Sequence, residues 1–189
     1  MTHAEVGHHR TGDRNVALFI AILAAMLAFA EMLAKSAQTS ALGSNIEAAN
    51  LWSFYQAKTI RQTVVRTAVE LVDAERAALA SPEARTSLEQ RIGSWKETIA
   101  RYDSEPSTQE GRKELMARAT EAEKRRDRSL AAYHHYEVAS AALEIAVVLA
   151  SAEIISGAVF LLGISGLLGL AGIGLCVLGF VAPNVLHLF

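Results

Sequence analysis

The chain has 189 residues, enough for one soluble domain or for a few membrane helices. A formal net charge of -2 gives no field suited to nucleic acid, and the single cysteine, Cys176, excludes an intrachain disulfide. Hydrophobic residues make up 51% of the sequence. They are gathered into segments from which Lys and Arg are almost absent.

Residues 1–15, MTHAEVGHHRTGDRN, are polar and without period, so they read as a flexible tail. His3, His8 and His9 read as part of that tail rather than as a metal site. Asp13 and Asn15 are candidate caps for the next segment. Residues 16–34, VALFIAILAAMLAFAEMLA, would extend about 29 Å as a helix, close to the hydrocarbon thickness of a bilayer. Glu31 is the one charge within it. It precedes Lys35 by four positions, the favourable order for an ion pair at the membrane edge. Small residues after this run would suit cleavage of a leader, but its length and Glu31 favour a retained first transmembrane helix.

Residues 35–137 read as a helical head. Gly43, Ser44 and Asn45 predict a kink or restart, with Ser44 and Glu47 as a capping box, although the helix formers nearby keep a continuous helix open. A long helix over 46–80 follows. Ala57, Ile60, Val64, Leu71, Ala74 and Ala78 form one stripe, and Val65, Ala68 and Val72 widen it, a pattern that suits a multi-helix bundle better than a two-strand seam. Ser81-Pro82-Glu83 predicts a stop and a capped restart. Leu88, Ile92, Trp95, Ile99 and Tyr102 then repeat at 4, 3, 4 and 3. Asp103 to Pro106 predicts a turn, and Ser107 to Glu110 a capping box opening a helix from about residue 108. No convincing stop follows until Gly157, so that helix is expected to run into the membrane. The expected head is three helices side by side, as a bundle or coiled coil.

The second crossing, 138–156, carries Glu144 and Glu153, each costing about 2.5–3.5 kcal/mol near the midplane. It is expected to insert together with the uncharged third crossing, 158–182, through a tight turn at Ser156-Gly157. A competing arrangement leaves 138–156 buried or interfacial beside one C-terminal anchor. Residues 183–189 form the C-terminal end after Pro183. Basic residues flanking the head, Lys35 and Lys124 to Arg128, favour a cytoplasmic head, with Arg10 and Arg14 as opposing votes. The expected fold is therefore an all-α, multi-pass membrane protein with three transmembrane helices, the helical head lying between the first and second.

Glu31, Glu144 and Glu153 are the membrane carboxylates that could serve a proton or cation pathway. Neutral carboxyls bonded to a neighbouring helix are the plainer alternative. Glu144 and Glu153 fall on opposite sides of their helix. Ser165, Gly169, Gly172, Cys176 and Gly179 repeat at 4, 3, 4 and 3 and form a smooth face for close helix approach, within the chain or between copies. His134 and Glu137 offer two ligands, too few for a zinc site. Tyr133 and Tyr136 read as an interfacial aromatic belt. Lys124, Arg125 and Arg126 suit anionic headgroups. No phosphate loop, nucleophile elbow or HExxH occurs, so neither an enzyme nor a cofactor is expected.

The segment NIEAANLWSFYQAKTIRQ, with Glu47, Asn50, Trp52, Tyr55, Gln56, Ala57 and Lys58, resembles a bacterial family of predicted membrane proteins of unknown function. The likeness covers about residues 15 to 182. It implies a membrane architecture and carries no activity. Asn50, Trp52, Tyr55 and Lys58 are candidate headgroup or interface contacts, with packing as the default. The leading functional expectation is an oligomeric inner-membrane scaffold whose head contacts other proteins or its own copies. The alternative is a proton or cation channel or transporter subunit.

Overall fold

The computed structural model describes residues 5–185, with side chains from Arg14 onward. Four helices follow in order: α1 (Glu5–Ala78), α2 (Pro82–Asp103), α3 (Arg112–Ser156) and α4 (Phe160–Val181). Three of them, α1, α3 and α4, are long and apolar enough to cross a membrane, and the polar α2 is inserted between the first two. The chain is thus an all-α membrane protein. Its helices form two compact units, residues 1–42 with 126–189 and residues 43–125.

The first unit packs the apolar parts of α1, α3 and α4 together. Leu23 and Ala30 of α1 meet Leu143, Ala146 and Ala150 of α3 in one core, with Leu162, Leu168 and Cys176 of α4 against it. Helices α3 and α4 are antiparallel, joined at Gly157, whose φ of 69° lies in the left-handed region that glycine tolerates best. Side chains such as Leu18, Ile22, Phe29, Leu167, Leu170 and Phe180 point outward. On a membrane helix such a surface faces lipid.

The second unit is a two-layer hairpin rather than three helices abreast. Along α1, Arg76, Gln62, Lys58, Trp52 and Glu47 meet Glu89, Ile99, Glu105, Glu123 and Arg125 in turn. Partner numbers rise as α1 numbers fall, so α2 and then the start of α3 run antiparallel along a single helix. The buried or half-buried seam of α1 is Ser44, Ala48, Leu51, Tyr55, Lys58, Gln62, Val65, Val69, Val72 and Arg76, continued by Leu79 just past its end. This alternates three and four residues throughout, the period of a two-strand seam. Of the stripe expected as core, Val65 and Val72 fall in this seam, but its central line lies on the opposite face. Ile60, Val64 and Leu71 are 64%, 63% and 68% exposed. Lys58 and Gln62 displace it because both find partners in the interior.

Several local expectations shift as well. Helix α1 begins at Glu5, inside the stretch read as a tail, and Asn15 lies within it rather than capping it. His3 and the side chains of His8, His9 and Asp13 lie outside the described residues. No break occurs at Gly43. One helical glycine costs only about 1 kcal/mol relative to alanine, and the buried Ala41 and Ala48 hold the helix on either side. Ser81 caps α2 as its Ser-Pro-Glu pattern implies, accepting from the Ala84 N–H at 3.3 Å. In contrast, Ser107 to Gln109 form a turn, and α3 starts only at Arg112.

Candidate functional site

The later start of α3 has a local cause. The Glu114 carboxylate reaches back across the turn, accepting from Ser104 Oγ at 2.6 Å and from the Glu105 N–H at 3.1 Å. Gly111 makes that reach possible, because a Cβ there would meet the Glu114 carboxylate, the Glu105 nitrogen and, at 2.6 Å, Ser104 Cα. The Ser104 hydroxyl and the backbone hold the Glu114 carboxyl below the usual carboxylate range. A depressed folded value means that its contribution is present above the unfolded pKa and fades as pH falls through the folded one. Acidification below the usual carboxylate range is therefore expected to loosen the 104–111 turn. In Glu114→Gln, hydrogen exchange across 104–114 should be faster at neutral pH and should lose this acid dependence.

The 104–111 turn lies against the middle of the α1 seam and forms the densest polar cluster of the second unit. Lys58, 6% exposed, sits 3.8 Å from Glu105 and 3.9 Å from Glu110. Its ammonium also lies 5.5 Å from the Phe54 ring centre and 5.3 Å from that of Tyr102. Gln62, 2% exposed, donates to the Ile99 carbonyl at 3.1 Å and accepts from Arg112 Nη1 at 2.5 Å. Arg112 Nη2 donates to the Tyr55 hydroxyl at 3.1 Å, and Nη1 lies 3.7 Å from Asp103. One turn along, Trp52 Nε1 donates to Glu123 at 2.8 Å and Arg125 pairs with Glu47 at 2.7 Å. The segment singled out in the sequence thus supplies a polar clasp between α1 and the point where α2 gives way to α3. Within it Trp52, Tyr55 and Lys58 are inward, while Asn50 is exposed. Arg125 is spent on Glu47, Arg126 on Asp127 and Lys124 on Glu121.

In the first unit the small residues of α4 face its neighbours. Ser165, Gly169, Gly172 and Gly179 are buried and Cys176 is half-buried. Ser165 Oγ donates to the Ala146 carbonyl at 2.7 Å. A Cβ at Gly169 would stand 2.8 Å from Leu23 Cδ2, and one at Gly172 would stand 2.8 Å from Leu143 Cγ and 3.0 Å from the Ala139 carbonyl. Gly179 admits Tyr136 and His135 in the same way. Tyr136 is therefore core rather than belt. His135, 0% exposed, lies 3.0 Å from the Pro183 carbonyl through Nε2 and ties the end of α4 to α3. Nothing in the hydropathy pattern separates His135 from its exposed-looking neighbours. Tyr133 donates to Glu137 at 3.2 Å, and His134 lies 3.7 Å from the same carboxylate.

The membrane carboxylates do not converge. Glu31 and Glu144 are exposed on outer faces, and Glu153 is half-buried near the end of α3. Among the described residues, Glu31 and Lys35 make no ion pair with each other. Among the described residues no three His, Cys, Asp or Glu side chains come close enough to hold a metal.

A family model for a domain of unknown function, DUF4337, matches residues 12–182. The chain belongs to the DUF4337 family. The match takes in the apolar parts of α1, α3 and α4 as well as the whole polar hairpin, so it covers the second unit entirely and most of the first. No curated protein and no solved structure matches the chain.

Proposed function

We propose that this DUF4337 protein is an oligomeric scaffold of the bacterial inner membrane, its head in the cytoplasm and paired with a second copy. The observation that carries this reading is the stripe opposite the hairpin seam. Ala57, Ile60, Val64, Thr67, Leu71, Ala74 and Ala78 alternate three and four residues over three heptads, the spacing at which one helix packs along another. Yet Ile60, Val64 and Leu71 stay uncovered by the described residues. Thr59, Thr63 and Ala68 continue the stripe into a shallow apolar groove. Burying each large side chain would contribute about 1.5–3 kcal/mol. The polar clasp, in this reading, holds the hairpin in shape so that the stripe remains continuous. The buried polar groups of the hairpin are engaged in clasping, as a scaffold requires.

Association of the full-length protein in detergent or nanodiscs tests the proposal. Wild type is expected to run as a dimer or larger, and Ile60→Asp with Leu71→Asp to run smaller with unchanged helix content. A Cys176→Ser background carrying Val64→Cys should cross-link between copies. A monomeric wild type, or a double variant that associates as wild type does, would defeat the reading. Ion or proton flux in liposomes that vanishes in Glu144→Gln or Glu153→Gln would favour a channel or transporter subunit instead.

A further inference from the structure

In the first unit a crevice of about 290 Å³ opens beside the end of the α1 apolar run. Its polar wall is made by Ser36 and Ser40 of α1 with Arg128, Ser129 and Tyr136 of α3. Leu33 and Phe180 line its other side. The same two residues also line an apolar groove of about 320 Å³, completed by Phe29, Cys176 and Val177. Polar crevice and apolar groove therefore meet edge to edge, with the groove lying alongside membrane-spanning helix.

The polar groups of the crevice are unspent. Arg128 makes no ion pair or hydrogen bond with the described residues, since the adjacent Asp127 is held by Arg126 at 2.9 Å. The Ser36, Ser40 and Ser129 hydroxyls also have no partner within the described chain. No carboxylate lines the crevice among the described residues. The carbonyl of Pro183, which would repel an anion, is engaged by His135. One guanidinium and three hydroxyls at the rim of the hydrocarbon layer form a donor set for a phosphate. A site for a free anion would have no use for the groove.

We propose that this joint crevice and groove binds one anionic glycerophospholipid. Arg128 and the serine hydroxyls hold its phosphate, and Phe29, Leu33, Val177 and Phe180 hold an acyl chain. A lipid whose headgroup carries its own ammonium competes poorly, because no carboxylate lines the crevice among the described residues to receive that cation beside Arg128. This inference stands independently of pairing between heads.

Native mass spectrometry of the full-length protein, released from mild detergent, tests it. The probes are phosphatidylglycerol, phosphatidylcholine with the same acyl chains, and glycerol 3-phosphate. One phosphatidylglycerol adduct should be retained about tenfold better than phosphatidylcholine, the scale of one charge-assisted contact. Arg128→Gln should reduce phosphatidylglycerol to the phosphatidylcholine level, whereas Arg91→Gln on α2 should leave it unchanged. Phe180→Ser should weaken both lipids. Circular dichroism should match wild type in each variant. Equal retention of the two lipids, an effect of Arg91→Gln as large as that of Arg128→Gln, or glycerol 3-phosphate binding as well as phosphatidylglycerol would overturn the proposal.

Discussion

Replacing Gly172 by leucine is expected to open the membrane-spanning unit and expose Cys176. Even a Cβ at Gly172 would stand 2.8 Å from Leu143 Cγ and 3.0 Å from the Ala139 backbone carbonyl. The leucine could give way by rotating, but the carbonyl belongs to helix α3 and moves only if the helix moves. A full leucine therefore forces α3 and α4 apart. Overpacking of this kind costs about 1–3 kcal/mol. Separation would also weaken the Ser165 bond to the Ala146 carbonyl, which is buried and has no water to replace it. Cys176 lies one turn from Gly172 and packs into the same core, so its thiol reports the opening directly. If labelling proceeds through local opening, a loss of about 2 kcal/mol raises the maleimide rate about 30-fold. Gly174→Leu is the control, because a Cβ there meets nothing within 4 Å. Similar labelling rates in the two variants would show that α4 does not depend on this close approach.

The small-residue face of α4 is legible in the sequence because a close helix approach demands small side chains at a fixed period, and nothing else on α4 competes for that pattern. The membrane spans are legible for the same reason, since continuous apolar runs have few other uses. The seam of the head is legible on α2, where Leu88, Ile92, Trp95, Ile99 and Tyr102 are all buried or half-buried, but not on α1. Counting apolar positions points to Ile60, Val64 and Leu71, whereas the interior is occupied by Lys58 and Gln62. Hydropathy assigns those two residues to solvent because it carries no information about partners. Their partners, Glu105, Glu110, Ile99 and Arg112, lie far along the chain. The start of α3 is hidden by the same blindness. A capping box is a pattern of four neighbouring residues, but Glu114 reaches back ten positions to Ser104, and only Gly111 allows it.

The burial of Lys58 leads to an asymmetric prediction. Removing its two carboxylate partners should harm the hairpin more than removing the lysine itself. Glu105 and Glu110 are 24% and 49% exposed in their side chains, against 7% for Lys58. In Lys58→Met both carboxylates remain partly solvated, and an apolar chain of similar length fills the space between Phe54 and Tyr102. Replacement of a buried ion by a well-fitting apolar group is often near neutral, so a loss of about 1 kcal/mol or less is expected. Glu105→Ala with Glu110→Ala instead strands an ammonium in the interior with only two aromatic faces. Breaking a buried pair in this way costs about 3–5 kcal/mol. Hydrogen exchange over residues 92–112 measures the difference as local opening. A net loss of about 3 kcal/mol corresponds to roughly 150-fold faster exchange. Combining Lys58→Met with both glutamate changes should restore most of the protection, because no uncompensated charge is then left inside. If the triple variant exchanged as fast as the double, the damage would come from lost packing of the 104–111 turn rather than from the stranded charge. Lys58 would then be a spacer in the seam and not its electrostatic anchor.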